Sequence, residues 1–157
     1  MMRRESSKVC HTRCGLTLKK ISAVLLPIDE NKWLEQVCDN FNLKSKKTEY
    51  PKSPNMYVLN ESFVSPTTSH NRELREEIPN VVLEAAGVPE APLEDLSYSE
   101  MVNPEGVQID YFVLHWWGHS YRKIVASLTK FAKEINVKIE KKSPDEIVFW
   151  VCTFALN

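Results

Sequence analysis

At 157 residues, with 43% hydrophobic and 26% charged side chains, the chain has the size and composition of one globular domain, which excludes a wholly disordered chain. A formal net charge of -1 gives no global reason to expect nucleic acid or an anionic membrane as partner. No apolar run approaches the ~18 residues of a membrane helix, and the best, IVFWVCTFAL, is too short.

Residues 1–20 carry six Lys/Arg against one Glu and read as a flexible basic N-terminus. A transit-type targeting segment is the alternative there, but no uninterrupted apolar stretch follows, and ISAVLLPI contains Pro27. Cys10, Cys14, Cys38 and Cys152 are too few and too scattered for a disulfide scaffold, so a reducing, cytoplasmic setting is expected. Cys10, His11 and Cys14 in CHTRC lack the second ligand pair of a zinc site. NES at 60–62 matches a glycosylation tripeptide with no secretory signal to support it.

Residues 21–105 read as an α+β region with an acidic, Pro-rich loop. The aliphatic and β-branched stretch 16–28 predicts a strand ending near Pro27. DENKWLEQVCDNF predicts a helix capped by its Asp, with Trp33, Leu34, Val37 and Phe41 on one face. NLKSKKTEYPKSPN is a polar loop, and MYVLNESFV a short strand. Two short helices follow within 65–92, the second opened by Pro79 and closed by Gly87 as its C′ residue. From Glu73 through Glu105 there are nine acidic residues and one Arg, ending in the loop PEAPLEDLSYSEMVNPEG.

Residues 106–157 carry the clearest pattern. VQIDYFVL predicts a strand buried on both faces. Tyr121, Ile124, Val125, Leu128, Phe131, Ala132 and Ile135 recur at helical spacing, with Ser120 a candidate cap. KSPDE makes a turn, and IVFWVCTFAL reads as a second buried strand, with Cys152 a small hydrophobe inside it. Strand, helix and strand with short connections make a parallel βαβ unit with a right-handed crossover. Ending on its most apolar strand, the chain reads as incomplete.

Between that strand and helix lies HWWGH. Ligands of α/β sheets bind beyond the carboxyl ends of the strands, beside helix N-termini that favour anions. His115, Trp116, Trp117, Gly118, His119 and Ser120 are therefore the candidate ligand-binding residues. The plainer reading has Gly118 serving the backbone and the tryptophans packing. No metal site is assigned: a strand-helix break separates His115 from His119, and no acidic residue completes a ligand set. No G-x-G-x-x-G, G-K-[ST] or G-x-S-x-G is present. The basic residues of 122–142 read as a solvated face and not a nucleic-acid surface.

SYSEMVNPEGVQIDYFVLHWWGH together with FWVCTFALN resembles a large, mostly uncharacterised family of unicellular eukaryotes. Its members show a strand ending in S-H-x-W-G-E, a helix, and a strand reading W-V-C-x-F-x-N-Q. More distantly, DYFVLHWWGHSYRKIVASLTKFAKE is similar to the opening strand and helix of Toll/interleukin-receptor (TIR) domains, D-x-F-L-S-x-R-G-E-D. Asp110, Phe112 and Gly118 match, with a small shift at the loop. The resemblance implies part of a flavodoxin-like parallel sheet in a module that assembles with its own kind. Some such domains cleave NAD, with a catalytic Glu in a W-C-x-x-E helix downstream of the second strand. This sequence contains no such segment, and it carries Leu114 where Ser is usual and His119 where Glu is usual.

The expectation is a non-catalytic, truncated TIR-like α/β protein acting through a protein partner or self-association, with no cofactor, nucleic acid or membrane. The alternative is the N-terminal half of an NAD- or nucleotide-hydrolysing enzyme, with the loop aromatics at the base or ribose.

Overall fold

The structure, a computed structural model, describes residues 13–45, 54–69, 72–89, 96–139 and 142–156. It is a mixed α/β fold, mostly helical, with one small mixed sheet. The expected strand over 16–28 shrinks to β1, Leu16–Thr17, followed at once by helix α1, Leu18–Asn31. Thr17 is the reason: its extended backbone and a side-chain oxygen that accepts from Lys20 N start a helix there. Leu18, Ile21 and Val24 then fall on one buried helical face. The helix runs through Pro27 and also contains Asp29, the expected cap of the next helix. That helix, α2, instead spans Trp33–Ser45, set off by Lys32 in the left-handed region with φ 50°. Leu34 and Cys38 are buried on it, with Trp33 and Val37 packed beside them. The Phe41 side chain lies outside the described residues, as do 46–53 of the following polar stretch.

MYVLNESFV is helical, not a strand. Asn55 accepts from Val58 N at 3.1 Å and starts α3, Met56–Leu59, which passes through a π turn, Asn60–Val64, into α4, Ser65–Thr68. Met56, Leu59 and Phe63 are buried at helical spacing. Helices α5, Arg72–Glu76, and α6, Asn80–Ala85, follow as expected, with Pro79 at the entry of α6 and Gly87 just past its end at φ +65°. Within the stretch expected to be loop stands α7, Tyr98–Val102. It is fixed by a reciprocal capping box in which Glu100 accepts from Ser97 N and Glu100 N donates to the Ser97 hydroxyl. Ser97→Ala is expected to lower the unfolding free energy by about 1 kcal/mol, read as a shifted urea midpoint at unchanged slope.

The sheet has the order β1-β3-β2. Strand β2, Tyr111–Val113, runs parallel to β3, Val148–Val151, pairing Tyr111 with Phe149 and Val113 with Val151. Helix α8, Tyr121–Ile139, and a 3₁₀ turn, Pro144–Glu146, connect them, so the βαβ unit is present. Strand β1 adds antiparallel on the far side of β3, which makes the sheet mixed and not parallel throughout. Two strand expectations need correction. β2 is not buried on both faces: Tyr111 packs under α8 against Phe131 at 5.0 Å, whereas Phe112 is 66% exposed on the opposite face and meets Trp150 at 5.5 Å. β3 ends at Val151, and Cys152 begins the short helix α9, Cys152–Ala155.

One hydrophobic cluster runs from Leu16 to Phe154. Gly15 sits where the chain crosses the sheet closely. A Cβ there would lie 2.5 Å from Val148 Cγ1 and 3.1 Å from Ile109 Cγ1, so only glycine fits without movement. The Asn103 amide donates to Gly15 O at 3.0 Å, and Lys20 Nζ donates to Val102 O at 2.7 Å, tying α7 to the start of α1. Arg122 bridges α8 to Glu35 of α2 at 3.0 Å, a half-exposed pair that contributes at most ~1 kcal/mol.

Candidate functional site

The loop from Leu114 to Ser120 leaves the carboxyl end of β2 and enters α8. A tight turn, His119 N to Trp116 O at 3.0 Å, folds it back on itself. Its second half is clamped by the segment before α3. Met56 N donates to Trp117 O, and Tyr121 N to Pro54 O, both at 3.0 Å, with Asn55 bridging to Ser120 between them. Sequence reading placed Pro54–Met56 in a linker and a strand, and so missed the clamp. An Asn after Pro and before an apolar run was the available signal, since that is a helix start.

Five of the six expected residues come together. His115, Trp116, Gly118, His119 and Ser120 line an open cleft of about 870 Å³, completed by Leu114 and by Lys123 and Ser127 of α8. Gly118 is buried beneath the Trp116 ring: a Cβ would stand 2.4 Å from its Cζ2. Trp116 itself is 63% exposed and meets His119 edge-on at 5.3 Å. Trp117 is the residue that departs. It turns toward the core, its ring 5.4 Å from Tyr57, and its Nε1–H donates to Cys152 Sγ at 3.1 Å. The tight turn that begins at Trp116 sends the two neighbouring indoles to different sides, one to the cleft and the other to the protein.

Cys152, expected to lie within a strand, instead stands at the end of β3, half-buried beside the neighbouring strand's loop. His115 Nε2 is 3.7 Å from its sulfur, while His115 Nδ1 is buried with no hydrogen-bond partner among the described residues. Burial lowers the His115 pKa from its ordinary 6.5, the Trp116 backbone opposing and the His119 charge reinforcing that shift. The sign follows by linkage. The unfolded chain binds a proton near pH 6.5 that the folded chain resists, so this group removes stability as pH falls below 6.5. His115→Gln is therefore expected to flatten the loss of stability between about pH 7 and 5, measured as urea midpoints across that range.

Among the described residues, no group of three or more His, Cys, Asp or Glu is placed to hold a metal ion. Cys10 and His11 of CHTRC lie outside the described residues, and Cys14 is buried. No helix of the structure is long and apolar enough to cross a membrane.

Compared with known proteins, the chain matches no family model, no curated protein and no solved structure.

Proposed function

We propose that the chain is a TIR-like assembly module that acts by pairing the open edge of β2 with β2 of a second copy. The observation that carries this reading is the edge itself. Among the described residues β2 lies at the end of the sheet, and Phe112 within it and Leu114 just past it are 66% and 93% exposed. Edge strands ordinarily resist pairing through charge, proline or a covering element. From Tyr111 to Trp117 this edge contains no Lys, Arg, Asp, Glu or Pro. A two-fold axis beside Val113 sets Phe112 of one copy against Leu114 of the other, a self-complementary antiparallel contact. The cleft along β2 and α8 supplies the room that an added strand needs. The TIR-like character rests on the motif resemblance, together with a parallel strand pair joined by a helix.

Sedimentation velocity from low micromolar to several hundred micromolar chain tests the proposal. A reversible monomer–dimer equilibrium supports it; a monomer throughout that range rejects it.

A second reading, nucleotide binding, is favoured by one feature: the exposed Trp116 ring stands in the same cleft as His119, Ser120 and Lys123. An aromatic face can stack on a base for ~1–3 kcal/mol. Quenching of tryptophan fluorescence by NAD or ATP, lost in Trp116→Ala and kept in a folded Trp117→Phe, is its expected signature.

A further inference from the structure

Three cysteines are described, and one differs from the others. Cys14 and Cys38 are buried in the core, 4% and 0% exposed. Cys152 is partly accessible and stands where the carboxyl ends of two parallel strands meet, with His115 on the neighbouring loop. Its sulfur receives the Trp117 Nε1–H at 3.1 Å and has His115 Nε2 at 3.7 Å. These two contacts do complementary work. The imidazole nitrogen is within reach of the thiol and can take its proton, and the indole N–H fixes the position of the sulfur.

We propose that Cys152 is a peroxide-reactive thiol, with His115 as its proton acceptor and the Trp117 N–H as the donor that holds its sulfur in place. The proposal stands on this cluster and is independent of edge pairing. His115 Nδ1, buried and without a partner among the described residues, separates the arrangement from a hydrolytic triad, in which a third group orients the base. The position of Cys152 selects the oxidant. The sulfur lies between an indole and an imidazole and is only partly exposed, which suits hydrogen peroxide and disfavours a bulky disulfide.

In the step, the thiol proton passes to His115 Nε2 and the thiolate attacks one peroxide oxygen. The S–O bond forms as the O–O bond breaks, and sulfur gives up the two electrons that reduce the peroxide. The departing hydroxide takes the proton back from His115, leaving Cys152 sulfenic acid and water. A thiol reductant reverses the change.

The test uses the full chain carrying Cys10→Ser, treated with hydrogen peroxide in the presence of dimedone. Labelling at each remaining cysteine is followed by peptide mass spectrometry. Cys152 is expected to label at least about tenfold faster than Cys14 and Cys38, the buried controls within the same chain. His115→Gln is expected to slow that labelling about fivefold or more, and Trp117→Phe to slow it too, with circular dichroism unchanged. Should Trp117→Phe fail to fold, His115→Gln alone decides the matter. Equal labelling of the three cysteines overturns the proposal, as does a His115→Gln chain that labels at the parent rate. Modification by glutathione disulfide but not by peroxide overturns the choice of oxidant.

Discussion

Phe154→Ala is expected to remove about 3–5 kcal/mol of stability. Phe154 is 1% exposed and joins two aromatic rings from distant parts of the sequence. Its ring lies 5.5 Å from Tyr98 of α7 and 6.4 Å from Tyr121 at the start of α8, and Tyr98 in turn meets Phe63 of the π turn at 5.8 Å. Removing the ring therefore opens a cavity and also severs the link between the end of β3 and the helices that cover it. Offset and edge-on ring pairs add ~0.5–1.5 kcal/mol beyond buried area, so the cost falls toward the upper part of that range. Urea unfolding followed by tryptophan fluorescence and by circular dichroism checks it. A loss under about 1.5 kcal/mol would mean that the site collapses freely and that the aromatic chain does not hold the fold together.

The same cluster explains what could be read from the residues beforehand. Helix α8 was legible because one long apolar period coincides with real burial: Tyr121, Ile124, Val125, Leu128 and Ala132 are all buried. The stretches 16–28 and 56–64 were misread as strands because short apolar, β-branched runs fit either period. Their fate is decided by Thr17 and Asn55, single capping side chains at or immediately before the helix starts. Likewise α7 depends on Ser97 and Glu100, a box visible in the sequence but set within an acidic, Pro-rich surrounding that suggested loop.

The candidate site divides along similar lines. Its location followed from a general property of α/β sheets, so the loop His115–Ser120 could be singled out from the residues alone. Which indole meets solvent could not, because Trp116 and Trp117 are neighbours of identical chemistry and only the clamp by Pro54–Met56 fixes the turn. Cys152 was hidden for another reason. IVFWVCTFAL is continuous in hydrophobicity, and nothing in that run marks the change from strand to helix that brings the sulfur beside His115. A tertiary contact between residues 37 apart leaves no periodic trace.

Phe112→Lys combined with Leu114→Lys is expected to weaken self-association at least about a hundredfold while leaving monomer stability within about 0.5 kcal/mol. The two effects separate because the side chains are 66% and 93% exposed in the monomer and become buried only when a second β2 docks. In the antiparallel register the ammonium group introduced at position 112 of one copy faces the one introduced at position 114 of the other. Two like-charged pairs thus replace two apolar ones. Each opposed pair forfeits ~0.2–1 kcal/mol of contact and adds repulsion of similar size, and burial of the ammonium groups raises the penalty further. Phe112 also gives up its contact with Trp150, which is intermediate in burial, so the monomer does not escape wholly unchanged. Leu114→Lys alone avoids that contact and isolates the edge. Sedimentation equilibrium and urea midpoints on the parent, the single and the double variant distinguish the contributions. Dimers that survive both substitutions would place the interface away from β2. A monomer destabilised by several kcal/mol would show instead that the uncovered face of the sheet is needed for folding.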